Sequence, residues 1–281
     1  MTRNKPYARA QHHQPNRPQN HLQNHPQNRP QNRWQPLVRL APAWLFGVSV
    51  LALWQLYTSS SNVPVTVLPP PTRIVSTLVR ELPMLWHHTR MTLLETALGF
   101  GLAMLTAFAL ALGLDAWTWL KRALYPWLIA SQTVPLVALA PLMLVWFGFG
   151  LLPKVLLVAL FCFFPITVAS VDGLAHIDPA QRKLMASMGA NYWQTLRWVR
   201  LPAALPSIFS GLKIAITYSV TAAIFAEYVG GFAGLGILIQ TAANARSTPL
   251  VFAAIVVTSL TSFVLFALVA ALEQAFTRWH T

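Results

Sequence analysis

The chain has 281 residues, of which 55% are hydrophobic and only 10% are charged, whereas soluble domains carry roughly 25% charged residues. This composition excludes an ordinary soluble domain and indicates an integral membrane protein. The net charge of +13 would by itself permit binding to nucleic acid. The basic residues, however, lie in loops between apolar runs, which is typical of membrane proteins, so no nucleic-acid partner is expected.

The amino-terminal segment, residues 1–38, repeats Gln-Asn pairs, lacks acidic residues and has few aliphatic ones. Such a stretch buries too little apolar surface to offset the entropy of ordering it, so we expect a disordered cytoplasmic tail. Its histidines are irregularly spaced, which favours a solvated tail near anionic lipid over a metal site. Residues 39–281 form the predicted membrane domain.

Six apolar segments follow, each near the roughly 20 residues that a helix needs to cross a bilayer. They cover residues 41–57, 91–113, 125–147, 153–171, 208–229 and 250–272. The sequence thus predicts an all-α integral membrane protein with about six transmembrane helices. With the amino terminus in the cytoplasm, fifteen of the 20 Lys and Arg residues lie on the cytoplasmic side, which favours both termini inside.

A Pro-rich stretch after the first span is followed by Ile74, Leu78, Leu82 and Leu85, which are spaced as on one helix face. This pattern predicts an amphipathic helix at the outer surface. A plain loop is the alternative, because Pro83 interrupts the pattern.

Polar side chains within the spans are candidates for the wall of a translocation path, because a polar group in lipid is costly unless it faces a cavity or another helix. These candidates are Glu95, Gln132, Thr217, Tyr218, Thr221 and Glu227. Thr217, Thr221 and Glu227 are spaced so as to share a broad helix face. The alternatives are a helix-to-helix hydrogen bond for Glu227 and packing around a proline kink for Gln132.

Glu95 lies five residues from Arg90, a poor separation for an ion pair within one helix. We therefore expect its partner on another span or in water. A carboxylate at this depth also suits a neutral or cationic cargo better than an anion.

A long polar and basic interruption, residues 172–208, separates the fourth and fifth spans. Irregular backbone is not tolerated in lipid, so this loop emerges on one face of the membrane, and the distribution of charge places it in the cytoplasm. A short helix over 182–188, led by a capping Asp178, is expected to break at Gly189. A second helix over 192–200 is expected to end before Pro202. The two helices would form a knob.

Within this loop, Gly189 is followed after nine residues by Val199, and then by Leu201 and Pro202. This spacing closely resembles the cytoplasmic EAA loop of permeases from binding-protein-dependent ABC importers, although Lys183-Leu184-Met185 replaces the family's acidic-small-small triplet. Motifs at 68–72, 134–142, 146–150, 163–166 and 231–236 share the resemblance. The resemblance implies that a separate ATPase subunit contacts the loop through Lys183, Met185, Ala186, Gly189, Ala190, Val199, Leu201 and Pro202.

The resemblance also implies the partners and the location. It implies two ABC ATPase subunits that bind ATP and Mg²⁺, a periplasmic or lipid-anchored substrate-binding protein, and a second permease copy in the bacterial inner membrane. The chain itself has no Gly-x-x-x-x-Gly-Lys-Ser/Thr loop and no nucleophile–base constellation, so we expect a transport subunit without a cofactor rather than an enzyme.

Within the family, the chain is most similar to the nitrate, sulfonate, taurine and thiamine-precursor branch. Ser-Met-Gly-Ala at 187–190 and Thr-Leu-Leu-Glu at 92–95 favour permeases for hydroxymethylpyrimidine, a thiamine precursor. Riboflavin, sulfonate, taurine and nitrate remain alternative cargoes. An ion-coupled carrier or channel with Glu95 and Glu227 as proton sites is the alternative of another class, which an inverted repeat would favour. A third alternative is a membrane scaffold that transports no cargo.

Overall fold

The computed structural model describes residues 35–61, 63–176 and 178–277, and within these ranges it is helical, without a strand. Its α-helices are α1 (Gln35–Ser60), α2 (Pro71–Arg80), α3 (Leu82–Ala116), α4 (Thr118–Ser131), α5 (Leu139–Phe147), α6 (Leu151–Ala175), α7 (Pro179–Ser187), α8 (Tyr192–Thr195), α9 (Leu201–Gly230), α10 (Leu235–Asn244) and α11 (Thr248–Phe276). The chain divides into two units, residues 1–49 and 50–281. The core and the candidate sites lie in the second unit. The predicted tail, residues 1–38, falls almost wholly outside the described residues.

Four described helices are long and apolar enough to cross a membrane: α3, α6, the continuous run Tyr192–Gly230 and α11. A fifth candidate is broken, because α4 and the segment Leu136–Phe147 meet at an angle of 80°. The third predicted span, 125–147, is therefore two helical pieces rather than one kinked helix. The first predicted span coincides with helix α1. The all-α membrane fold class is confirmed.

Helices α3, α6 and α9 form the core through small residues that let their backbones approach closely. Gly99 of α3 faces Val158 of α6, and Gly211 of α9 faces Ala169 of α6. A Cβ at Gly99 would lie 2.9 Å from the Val155 carbonyl oxygen, closer than van der Waals contact. Close van der Waals packing replaces the hydrophobic effect as the force between helices in lipid, so these glycines hold the three-helix core together.

The predicted amphipathic helix is present as α2, with Ile74 buried against Ala253 and Ala254 of α11. It is shorter than the pattern predicted. It ends at Arg80, and Leu85 belongs to α3, in whose first turn Pro83 is tolerated because that turn needs no backbone N–H from it. The helix interpretation is thus confirmed, and the plain-loop alternative is wrong.

The second helix of the polar loop does not end before Pro202, contrary to the prediction. A π-helical turn, Leu196–Arg200, joins α8 to α9, and the Leu201 N–H donates to the Leu196 carbonyl oxygen five residues earlier. A π turn changes the hydrogen-bond register of the backbone locally, and the helical run continues from it through Pro202, which has no N–H to donate. The loop is therefore connected rigidly to the membrane helix that follows it.

Candidate coupling surface and membrane cavity

The polar loop folds as two short helices around Gly189. Asp178 caps α7 by accepting from the Ala180 N–H at 2.8 Å, as predicted. The backbone reverses at Gly189, whose φ of +70° is a conformation that residues with a Cβ rarely adopt. Asn191 then caps α8 in a reciprocal pair with Gln194, each side chain accepting a backbone N–H at 2.8 Å. The reversal and both helix starts are therefore determined by local chemistry.

The surface of these two helices is unusually apolar for a segment this basic. Leu184, Met188, Trp193 and Trp198 expose 59%, 72%, 67% and 70% of their surface. A groove of about 340 Å³ between α7 and the π turn is lined by residues that include Met185, Val199 and Pro202. Of the predicted coupling residues, Lys183, Ala186, Gly189 and Leu201 are exposed, and Met185, Ala190, Val199 and Pro202 are half-buried. Several large apolar side chains exposed on one short segment are typical of a protein-binding site.

An ion pair that sequence reasoning did not single out ties this candidate coupling surface, residues 179–200, to α3 and α6. Asp115, at the end of α3, accepts two hydrogen bonds from the Arg200 guanidinium, of which the Nη1–Oδ2 bond is 2.8 Å long. The Tyr192 hydroxyl donates to the same carboxylate at 2.7 Å. Arg200 Nη2 also donates to the Leu174 carbonyl oxygen of α6 at 2.8 Å. The sequence signal that could have identified this ion pair is Asp115, a single carboxylate at the end of an apolar span.

At the other end of the spans, a second buried network holds two of the predicted path residues. Lys154 Nζ of α6 lies 2.7 Å from Glu95 Oε1 of α3, so the partner of Glu95 is on another span, as predicted. Glu227 of α9 accepts from the Thr92 hydroxyl at 2.7 Å and from the Gly236 N–H. Both carboxylates are buried, with 2% and 0% exposure. In the described structure each is bonded between helices, and the charge of Glu95 is balanced by Lys154.

The remaining predicted path residues lie on surfaces and in cavities. Gln132 and Tyr218 line one cavity of about 650 Å³ between the broken third span, α6 and α9. Thr217 and Tyr218 line a second, of about 410 Å³. Thr217 and Thr221 are exposed, whereas Glu227 is buried. The three residues do not share one face, because Glu227 lies about 120° around the helix from Thr221 and is buried where the two threonines are exposed.

Comparison with known proteins agrees with this architecture. Residues 99–278 match the family described as the inner membrane component of binding-protein-dependent transport systems. The riboflavin transport system permease protein RibX of Chloroflexus aurantiacus is 37% identical over 82% of this chain and 87% of its own length. The formylaminopyrimidine transport permease protein ThiX of Halalkalibacterium halodurans is 33% identical over 84% of this chain and 94% of its own length.

Solved structures show the same fold. A chain of the MetNI methionine ABC transporter in an inward-facing conformation aligns with a TM-score of 0.56 at 20% identity, covering 70% of this chain and 95% of the solved one. The chain therefore belongs to the family of binding-protein-dependent inner membrane transport components. It is an ABC importer permease subunit, a transport protein rather than an enzyme, and ATP hydrolysis occurs in separate ATPase subunits.

Proposed function

We propose that this permease forms the translocation path of an importer for a small heteroaromatic molecule, with a thiamine-precursor pyrimidine as the leading cargo and riboflavin as the second. The names of the relatives RibX and ThiX support this class. A sulfonate or taurine cargo has weaker support, since the sulfonate permease SsuC of Bacillus subtilis is 32% identical and the taurine permease TauC of Escherichia coli is 28% identical. Lys154 balances the charge of Glu95, so this carboxylate does not favour a neutral or cationic cargo over an anion.

The observation that carries the coupling role is the reversal at Gly189 between two short helices with exposed apolar side chains. Two ATPase subunits, which bind ATP and Mg²⁺, contact this surface beneath two permease copies. The π turn and α9 form one helical run with α8, so a displacement of the coupling surface is transmitted to α9 without a flexible joint. This supports alternating access driven by ATPase closure.

The wider arrangement follows from the same proposal. A second, identical permease copy closes the path against the exposed α9 residues Thr217, Tyr218 and Thr221. A periplasmic or lipid-anchored binding protein delivers cargo at the outer face. Both termini and the coupling surface lie in the cytoplasm, which agrees with the excess of Lys and Arg on that side.

Co-purification tests the coupling role. A tagged permease solubilised under mild conditions is expected to retain a nucleotide-binding subunit, and Met188→Asp is expected to release it, because a charge is then placed in the apolar contact. Phe232→Asp is the matched control: Phe232 is exposed to 83% against 72% for Met188, but it lies at the opposite end of α9. Retention of the ATPase by Met188→Asp, or its absence from the wild type, contradicts the proposal.

Uptake measurements test the cargo. Proteoliposomes that contain the whole complex and its binding protein are expected to accumulate labelled hydroxymethylpyrimidine in an ATP-dependent manner, with riboflavin as the second probe and taurine as the comparison. Preferential uptake of taurine would refute the heteroaromatic class while leaving the permease assignment intact.

A further inference from the structure

A break in the third span creates the cavity of about 650 Å³. Helix α4 ends at Ser131, the chain bends by 80°, and a 3₁₀ turn (Leu136–Ala138) leads into α5. The cavity lies between the bent third span, α6 and α9. Its volume falls within the roughly 300–1,000 Å³ of small-molecule sites.

Among the described residues, the one charged side chain that lines the cavity is Asp172 of α6. The Tyr125 hydroxyl donates to Asp172 Oδ1 at 2.6 Å, which orients the carboxylate and leaves Oδ2 for another donor. Two cations lie nearby. Lys213 is paired with Glu273 at 2.7 Å, and the Lys121 ammonium lies 5.7 Å from the centre of the Tyr125 ring. Neither lines the cavity, so its polar end is negative.

The other walls suit a flat ring. Phe161 and Phe164 of α6 and Tyr218 of α9 line the cavity, and aromatic side chains of this kind stack on planar ligands. Pro165 follows Phe161 by four residues and has no N–H, so the Phe161 carbonyl oxygen loses its helical donor. Gln132 adds an amide that both donates and accepts hydrogen bonds.

We propose that this cavity is the cargo-selecting site of the translocation path and that it takes a planar heteroaromatic ring bearing an amino group or a positive charge. The amino group donates to Asp172, the ring stacks among the aromatic side chains, and Gln132 contacts a ring nitrogen. An anionic sulfonate is excluded by repulsion from Asp172. The inference rests on the proposed transport function, and it assigns part of the cargo selectivity of the importer to the permease itself.

Equilibrium binding to the permease–ATPase complex in nanodiscs tests this site, with the binding protein omitted so that only the permease discriminates. The probes are labelled hydroxymethylpyrimidine, whose ring carries an amino group, and its analogue with hydrogen in that position. Wild type is expected to bind the amino form about tenfold more tightly, as a charge-assisted hydrogen bond implies. Asp172→Asn, which keeps an oxygen for Tyr125, is expected to abolish this preference.

Gln132→Lys provides a second, independent variant. Gln132 is exposed and lines the same cavity as Asp172, so this change adds a cation to the cavity without removing the carboxylate, and it is expected to abolish the preference too. Glu81→Gln, a carboxylate change outside the cavity, is expected to keep it. A preference retained in both cavity variants, or no binding to wild type, overturns the inference. Neither result bears on ATPase co-purification or on ATP-dependent uptake, which test the proposed function separately.

Discussion

Replacing Asp115 with Asn is expected to uncouple ATP hydrolysis from transport, because Asp115 joins the coupling surface to α3. The carboxylate receives the Arg200 guanidinium and the Tyr192 hydroxyl, and Arg200 in turn reaches the Leu174 carbonyl of α6. One ion pair thereby connects the ends of two membrane helices to the segment that the ATPase is proposed to contact. Without it, the coupling surface moves independently of α3.

The expected loss of stability follows from the burial of this ion pair. The side chains of Arg200 and Asp115 are only 12% and 9% exposed, and removing one partner of a buried pair typically costs about 3–5 kcal/mol because the other charge is left unpaired. If the change weakens the coupling between ATPase movement and the membrane helices by only about 1.4 kcal/mol, the cargo imported per ATP falls about tenfold. Asp115→Asn is therefore expected to lower both the thermal stability of the complex and the cargo imported per ATP hydrolysed, the latter about tenfold.

Two further variants separate charge from coupling. Asp115→Leu combined with Arg200→Met removes both charges and is expected to recover most of the stability, since buried ion pairs are often replaceable by apolar residues. Lys213→Met combined with Glu273→Gln removes a more exposed pair, 2.7 Å long with side chains 26% and 22% exposed, that ties α9 to α11. This control is expected to keep normal transport per ATP. Wild-type coupling in Asp115→Asn would refute the reasoning.

Three other predictions concern backbone and buried charge. Gly189→Val is expected to cut uptake with insertion retained, whereas Gly189→Asn is expected to be milder. No atom of the described residues lies within 4 Å of a Cβ at Gly189, so the cost of either change is backbone strain, which Asn tolerates better than a β-branched residue. Equal uptake by the two variants would contradict this. Lys154→Met leaves Glu95 buried and unpaired and is expected to lower stability by about 3–5 kcal/mol, measured as thermal unfolding against Glu81→Gln. Gly99→Ala is expected to reduce the folded yield because a Cβ would collide with Val158, whereas Gly101→Ala, with no atom within 4 Å, is its neutral control.

Much of the fold was predictable from local sequence. Long apolar runs predicted the helices at α3, α6, α9 and α11, and Asp178 and Gly189 marked the start and the break of the coupling helices. The same reasoning failed at Pro202, where proline was expected to end a helix. A π turn before it lets the helix continue, and no residue pattern in the chain announces that change of register.

The candidate sites were predictable as residue sets but not as contacts. Gln132 and Tyr218 were identified as polar groups within spans and do line one cavity. In the sequence, Asp172 was only the first residue of the polar loop, and Tyr125 only the first residue of the third predicted span. Their hydrogen bond joins residues 47 positions apart, and it exists because the broken third span places α4 beside the end of α6.

The sequence by itself determined which segments are helical, which loop is polar, and where the backbone must reverse, because these features depend on neighbours within a few residues. The tertiary structure alone decided which charges meet: Glu95 with Lys154, Asp115 with Arg200, and Asp172 with Tyr125. Such pairs depend on how far each helix is rotated and shifted against the next. Hydropathy does not encode that rotation, since close packing of small residues between helices determines it.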